Sequence, residues 1–99
     1  MRMTDDEYRQ TQRKLMRLAV EVQGLDFQGF LERIAEAESA GPVLDPTLYR
    51  RGAAALAAVK EVALAGRGMK KAYEAHPREL MPAVLDAFTA EELARAGIV

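Results

Sequence analysis

The chain has 99 residues, of which 49% are hydrophobic and 29% are charged, and its formal net charge is −1. This composition is typical of one soluble domain with its own core, and it lacks the positive excess of a general nucleic-acid-binding protein. Because the chain holds no cysteine, disulfides, thiol catalysis and cysteine-ligated metals are excluded. No apolar run approaches the length of a membrane span, so we expect one cytoplasmic domain over residues 1–99.

The composition also bears on the origin of the protein. Alanine occurs 18 times and arginine 10 times against four lysines, whereas asparagine does not occur. A GC-rich genome favours alanine and arginine, and the lack of asparagine and cysteine is typical of proteins that work at high temperature. The sequence therefore predicts a bacterial or phage source and leaves open whether heat or codon bias produced the pattern.

The first helix is predicted over residues 5–23, because both of its ends carry strong signals. Thr4 and Glu7 have the spacing of a capping box, in which each side chain accepts a hydrogen bond from a backbone N–H at the helix start. Gly24 is a natural stop, since glycine adopts without strain the left-handed conformation that ends a helix.

The second helix is predicted to begin after Asp26, a residue type that caps helix starts, and to end at Gly41-Pro42. Proline cannot continue a helix and restricts the residue before it. The apolar stripe of this helix is formed by Phe27, Phe30, Leu31 and Ile34.

The third helix is predicted to be the longest element and the centre of the fold. Asp45 is a capping residue, and Pro46 would take the first helical position, where its missing N–H costs nothing. Beyond it, apolar and small residues recur at alternating steps of four and three: Leu48, Gly52, Ala55, Val59, Val62, Gly66, Met69 and Tyr73. This spacing predicts a seam over about 30 residues, or about 45 Å of helix.

A helix of that length conflicts with the radius of gyration of about 13 Å expected for a chain of this size. The two glycines of Gly66-Arg67-Gly68 would cost about 2 kcal/mol inside a helix. Either the helix kinks or breaks there, with helices one and two covering the seam, or its end packs on another copy of the chain. We predict the second case, a homo-oligomer and most simply a two-fold dimer, whose interface residues are Gly52, Ala55, Val59, Val62, Gly66 and Met69.

The end of the chain is predicted to form two short helices. Pro82 lies too far from Pro77 for both to fit the first turn of one helix, so we expect a turn over 76–79 and a helix over about 80–88. A second capping box, Thr89 with Glu92, begins the last helix.

No segment alternates with the period of a strand, and there is no internal repeat. The predicted fold class is therefore all-α, a bundle of four to five helices around a long Ala-rich third helix, with Gly66–Gly68 as the place for a kink.

Residues that could carry catalysis or hold a metal are few. His76 is the one imidazole and Ser39 the one serine, and the sequence gives no reason to expect them side by side. Glu32 and Glu36 share a helix face, but carboxylate-bridged iron sites in bundles need paired Glu-x-x-His motifs, which a single histidine cannot supply. We expect no catalytic residue, no metal and no cofactor.

Basic residues form two stripes that could contact phosphates. On the first helix they are spaced by four residues, and on the third they fall in one narrow sector: Arg9, Arg13, Arg17, Lys60, Arg67 and Lys71. The glycines and lysines of 66–71 lack the spacing and the preceding strand of a phosphate-binding loop. The acidic second helix is an equally good partner for the basic third helix.

These observations favour a non-enzymatic protein–protein interaction or assembly module, a subunit or adaptor that self-associates or binds another protein. The alternative is a nucleic-acid-associated accessory protein that uses the basic stripes. The seam of small residues favours the first function, because small residues allow helices to approach closely.

Overall fold

The computed structural model describes residues 3–40 and 46–98, and of residues 46–49 it describes the backbone alone. Within these ranges the chain is all-helical, with no strand. The helices are α1 (Asp5–Gln23), α2 (Phe27–Ser39), α3 (Pro46–Leu64), α4 (Met69–Glu74), α5 (Pro77–Asp86) and α6 (Ala90–Arg95). The predicted helix end at Gly41-Pro42, the predicted cap Asp45 and the side chain of Leu48 lie outside the described residues.

The first helix begins and ends at the predicted residues. The Thr4 hydroxyl accepts a hydrogen bond from the Glu7 N–H at 3.2 Å, and the Glu7 carboxylate accepts from the Thr4 N–H. Gly24 ends α1 in the left-handed conformation, with φ +67°. The predicted cap of α2 is also present, since the Asp26 carboxylate accepts from the Gly29 N–H at 2.7 Å.

The helix of about 30 residues is not found, because the chain leaves the helical path after Leu64. Gly66 has φ +70°, and it donates to the Ala63 carbonyl while Arg67 donates to the Val62 carbonyl. These two bonds are the Schellman motif that ends a helix at glycine. The segment therefore forms two helices, α3 of about 28 Å and the short α4, and the described helices number six rather than four or five.

The central helix is α5 rather than α3, which corrects the predicted arrangement. It packs against α1, α2 and α3, and its buried side chains are Pro77, Leu80, Met81, Ala83 and Val84.

The predicted turn over 76–79 is also wrong, because α5 begins at Pro77 and holds Pro82 in its interior. An interior proline costs about 3 kcal/mol. Complete burial of Leu80 and Val84, at about 1.5–3 kcal/mol each, offsets that cost.

The last helix is attached to the rest of the fold through Arg33 of α2. The Arg33 guanidinium donates to the Glu92 carboxylate at 2.8 Å and to the Ala87 carbonyl at 2.7 Å, and it lies 4.4 Å from the centre of the Phe88 ring. Glu92 is at the same time the predicted capping-box partner of Thr89. One carboxylate thus both begins α6 and holds it against α2.

Removal of either capping threonine is expected to lower the free energy of unfolding by about 1 kcal/mol. Thr4→Ala and Thr89→Ala each lose a hydroxyl that accepts from a backbone N–H at 3.2 Å. Ser39→Ala is the control, because the Ser39 hydroxyl donates to the Ala35 carbonyl inside its own helix and caps nothing. Urea unfolding measures all three variants. A loss in Ser39→Ala equal to that in the threonine variants would contradict the assignment of the caps.

Candidate functional site

The seam proposed as an interface lies largely inside the single chain. Gly52, Ala55 and Val59 are buried. A Cβ added at Gly52 would stand 3.1 Å from the Glu79 carbonyl and 3.7 Å from the Ala83 Cβ, so α3 and α5 approach closely there. The small residues thus serve packing of α3 on α5, a covering helix that sequence reasoning did not consider.

The other predicted interface residues have different surroundings. Val62 is half-buried, Met69 is half-buried against the core, and Gly66 is exposed in the turn after α3. The radius of gyration is 12.6 Å, close to the value of about 13 Å expected for one compact chain. The length of the third helix therefore no longer calls for a second copy.

An open groove lies between α3 and α5, beside the first turns of α1. It has a volume of about 820 Å³. Its lining, among the residues that the structure describes, is Tyr8, Arg51, Ala54, Ala55, Ala58, His76, Arg78, Glu79 and Pro82. The alanines and the proline give it an apolar floor, and the charged side chains stand on both sides.

The two arginines of the groove have different surroundings. The Arg78 guanidinium lies 5.3 Å from the centre of the Tyr8 ring and forms an ion pair with Asp5 at the start of α1. Arg51, on the α3 side, is exposed and forms no ion pair or hydrogen bond with any residue that the structure describes. The positive charge of Arg78 is therefore partly neutralised by Asp5, whereas Arg51 has no charged partner among the described residues.

Pro82 lies in the interior of α5 and lines the same groove. Proline has no N–H, so it cannot donate to the carbonyl of Arg78 four residues earlier in α5. Arg78 lines the groove as well.

His76 and Glu79 also line the groove, which brings the one imidazole near an acid. General-base catalysis needs a nucleophile in hydrogen-bond contact with the base and a group that orients the base. Among the described residues, no side-chain hydrogen bond joins His76 to Glu79 or to Tyr8, and the described lining contains no serine or threonine. Among the described residues, the groove therefore contains no hydrogen-bonded catalytic pair.

Part of the predicted basic stripe on α1 contacts α4. Arg9 donates to the Glu74 carbonyl at 3.4 Å, and Arg13 forms an ion pair of 3.5 Å with the Glu74 carboxylate. Two of the three arginines on that stripe are therefore directed at the end of α4. The other four residues of the alternative are exposed: Arg17, Lys60, Arg67 and Lys71.

The acidic face of α2 is exposed. Glu32 and Glu36 lie one helical turn apart and border a cleft of about 340 Å³ that Gly29 also lines.

Among the described residues there is no group of three or more side chains suited to hold a metal ion. No described helix combines the length and the apolarity that a membrane crossing requires.

Glu38 is a buried carboxyl at the contact of α2 with α3. Its Oε1 would stand 3.3 Å from a Cβ added at Gly52. Burial raises the pKa of Glu38, and the nearby charge of Lys60 opposes that shift. Glu92 is the opposite case: the hydrogen bond from the Thr89 backbone N–H lowers the pKa of its carboxyl, burial opposes this, and Arg33 adds to the lowering.

These two pKa shifts predict opposite effects of acid on stability. A lowered native pKa means that the Glu92 carboxylate stabilises the fold at neutral pH and that this contribution is lost as the pH falls through the lowered pKa of Glu92. A raised native pKa means that protonation of Glu38 favours the fold as the pH falls. As the pH falls, the free energy of unfolding of wild type should therefore decrease relative to that of Glu92→Gln. Over the same pH change, the free energy of unfolding of wild type should increase relative to that of Glu38→Gln. Urea unfolding at several pH values measures both differences, and slopes of the same sign would contradict the two assignments.

Sequence reasoning missed the groove, although part of its signal is visible. One face of α3 carries residues of the groove at steps of three and four: Arg51, Ala54, Ala55 and Ala58. Their meaning depends on Tyr8 and on α5, which only the tertiary fold brings beside them.

Comparison with protein-family models, with curated proteins and with solved structures finds no match to this chain.

Proposed function

We propose that this domain is a non-enzymatic interaction module that binds a helical protein segment in the groove between α3 and α5. The observation that carries the proposal is the groove itself: a floor of alanine methyl groups between two helices, with an arginine on each side. A helix laid in such a groove approaches closely over small residues and is recognised by charges at its edges.

An enzyme or a small-molecule receptor fits this surface less well. Small-molecule sites bury about 70–90% of the ligand surface, whereas Arg51, Ala54, Arg78 and Glu79 are all exposed along the groove. A long ligand that stays partly in solvent suits the open shape better. The absence of a hydrogen-bonded nucleophile from the described lining supports a binding role as well.

Nucleic-acid binding through the basic stripes is the alternative function. Phosphate contacts need cations that are free to release counterions. Arg9 and Arg13 are instead directed at Glu74 of α4. The groove itself carries charges of both signs, since Glu79 lines it together with Arg51 and Arg78. A protein segment, which can carry charges of both signs, is the better match.

Peptide binding to the groove is expected to weaken about tenfold in Ala54→Gln, because a larger side chain would occupy the floor. The matched control is Ala57→Gln: Ala57 is also an exposed alanine of α3 but does not line the groove. The probe is a displayed library of random peptides of about 18 residues, long enough for a helix of about 27 Å. The library is selected on the full chain, and the affinities of the enriched peptides are then measured on both variants.

The proposal predicts enriched peptides whose affinity falls in Ala54→Gln and is unchanged in Ala57→Gln. A selection that enriches no peptide, or peptides that bind all three proteins equally, would contradict a docking role of the groove. Tight binding of double-stranded DNA with a steep salt dependence, unaffected by Ala54→Gln, would favour the nucleic-acid alternative instead.

A further inference from the structure

We infer that the occupant of the groove is a second copy of this chain, which presents the acidic face of its α2. This inference rests on the proposed function, because it names the partner of the same groove. It joins two surfaces of one molecule that are both exposed: the arginines beside the α3–α5 groove and the carboxylates of Glu32 and Glu36.

The charge distribution of the chain supports this pairing. Residues 24–45, which include α2, carry five acidic residues and one arginine, whereas residues 46–76 carry six basic and two acidic residues. Within one copy the outer face of α2 keeps its carboxylates in solvent: neither Glu32 nor Glu36 forms an ion pair with a described residue. Among the described residues, the acidic face and Arg51 are thus both left without an ion-pair partner.

The spacing of the two carboxylates suits a groove that has an arginine on each of its helices. Glu32 and Glu36 are four residues apart, so about 6 Å separates them along the helix axis. Glu36 would meet Arg51 on the α3 side. Glu32 would meet Arg78 beside the like charge of Glu79 and in competition with Asp5, the exposed partner of Arg78 in the same chain.

The assembly that follows is head-to-tail, because the groove and the acidic face are different surfaces of the molecule. A heterologous contact of this kind forms an open chain unless its rotation closes a ring. Its strength should depend on salt, since the Debye length falls from about 10 Å at 0.1 M to about 3 Å at 1 M ionic strength. The predicted mass in solution therefore rises with protein concentration and decreases when salt is added.

A charge exchange tests the inference on the full chain. Arg51→Glu and Glu36→Arg should each weaken self-association about tenfold, because each places like charges together in the contact. The double variant should restore association, since it exchanges the two charges. Arg50→Glu is the matched control: Arg50 is the neighbouring exposed arginine of α3 and does not line the groove. Light scattering across a concentration series gives the mass of each protein, and circular dichroism checks that each is folded.

The inference requires a mass above 10.9 kDa for wild type and Arg50→Glu at high concentration. At the same concentration it requires a lower mass for Arg51→Glu and for Glu36→Arg, and recovery of the mass in the double variant. A wild type that stays monomeric, equal effects of Arg51→Glu and Arg50→Glu, or no recovery would overturn it. If wild type is monomeric while selected peptides still lose affinity in Ala54→Gln, the groove binds another protein, so this inference fails and the proposed function stands.

Discussion

Leu80→Ala is expected to lower the free energy of unfolding by about 3 kcal/mol, a large part of the stability of a domain of this size. Leu80 is fully buried in α5, and α5 packs against three other helices. Its truncation leaves a cavity that neighbours on several sides cannot all close. The loss should therefore approach the upper range for a core leucine rather than that of a residue at the edge of the core.

Leu64→Ala is the control for this prediction. Leu64 is the same residue type in a helix, but its side chain is 89% exposed at the end of α3, so the expected change is within about 0.5 kcal/mol. Urea unfolding of both variants gives the comparison. Similar losses at the two leucines would contradict the central position of α5.

Gly52→Ala and Gly29→Ala are expected to shift stability in opposite directions, with a difference of about 2 kcal/mol. Each exchange gains about 1 kcal/mol of helix propensity. At Gly52 the new methyl would stand 3.1 Å from the backbone carbonyl of Glu79, and overpacking against backbone costs about 1–3 kcal/mol. At Gly29 the nearest atom is the end of the Leu25 side chain, 3.2 Å away, which can move.

The comparison isolates the close approach of α3 to α5, because both glycines lie inside helices with negative φ. Thermal and urea unfolding should show Gly52→Ala less stable than wild type and Gly29→Ala equal to it or more stable. A stabilising effect of Gly52→Ala would mean that the two helices have more room between them than the structure shows.

The parts of the fold that the sequence predicted are those decided by neighbouring residues. The caps at Thr4, Asp26 and Thr89 and the stop at Gly24 depend on hydrogen bonds across three to five residues, so their signal is complete within a short window. The all-α class follows in the same way from helical spacing along the chain. The break at Gly66 was one of two predicted alternatives, and sequence alone left open whether packing would compensate for the glycines.

The arrangement of the helices was not predictable, because it depends on which apolar faces meet. The seam of α3 indicates that something packs closely on Gly52, Ala55 and Val59, but it does not identify α5 as the helix that does so. For α5 the interior proline outweighed the apolar pattern in sequence reasoning, whereas in the fold the burial of Leu80 and Val84 outweighs the proline. Tertiary contacts thus reversed a local preference.

The groove depends even more on tertiary structure. Its residues come from three helices, and the residue types involved, alanine and arginine, occur often in this sequence, 18 and 10 times. Common residues carry little signal by themselves. Only the fold shows that Arg51 forms no ion pair with a described residue and that Ala54 and Ala58 line a groove between two helices.

The most direct test of the docking role is a map of backbone amide shifts in the full chain, recorded by NMR while the most enriched displayed peptide is added. The account predicts that the largest shifts fall on Arg51, Ala54 and Ala58 of α3, on His76 and on residues 78–81. Shifts concentrated instead on Arg9, Arg13 and Arg17 of α1, with the groove residues unchanged, would contradict it.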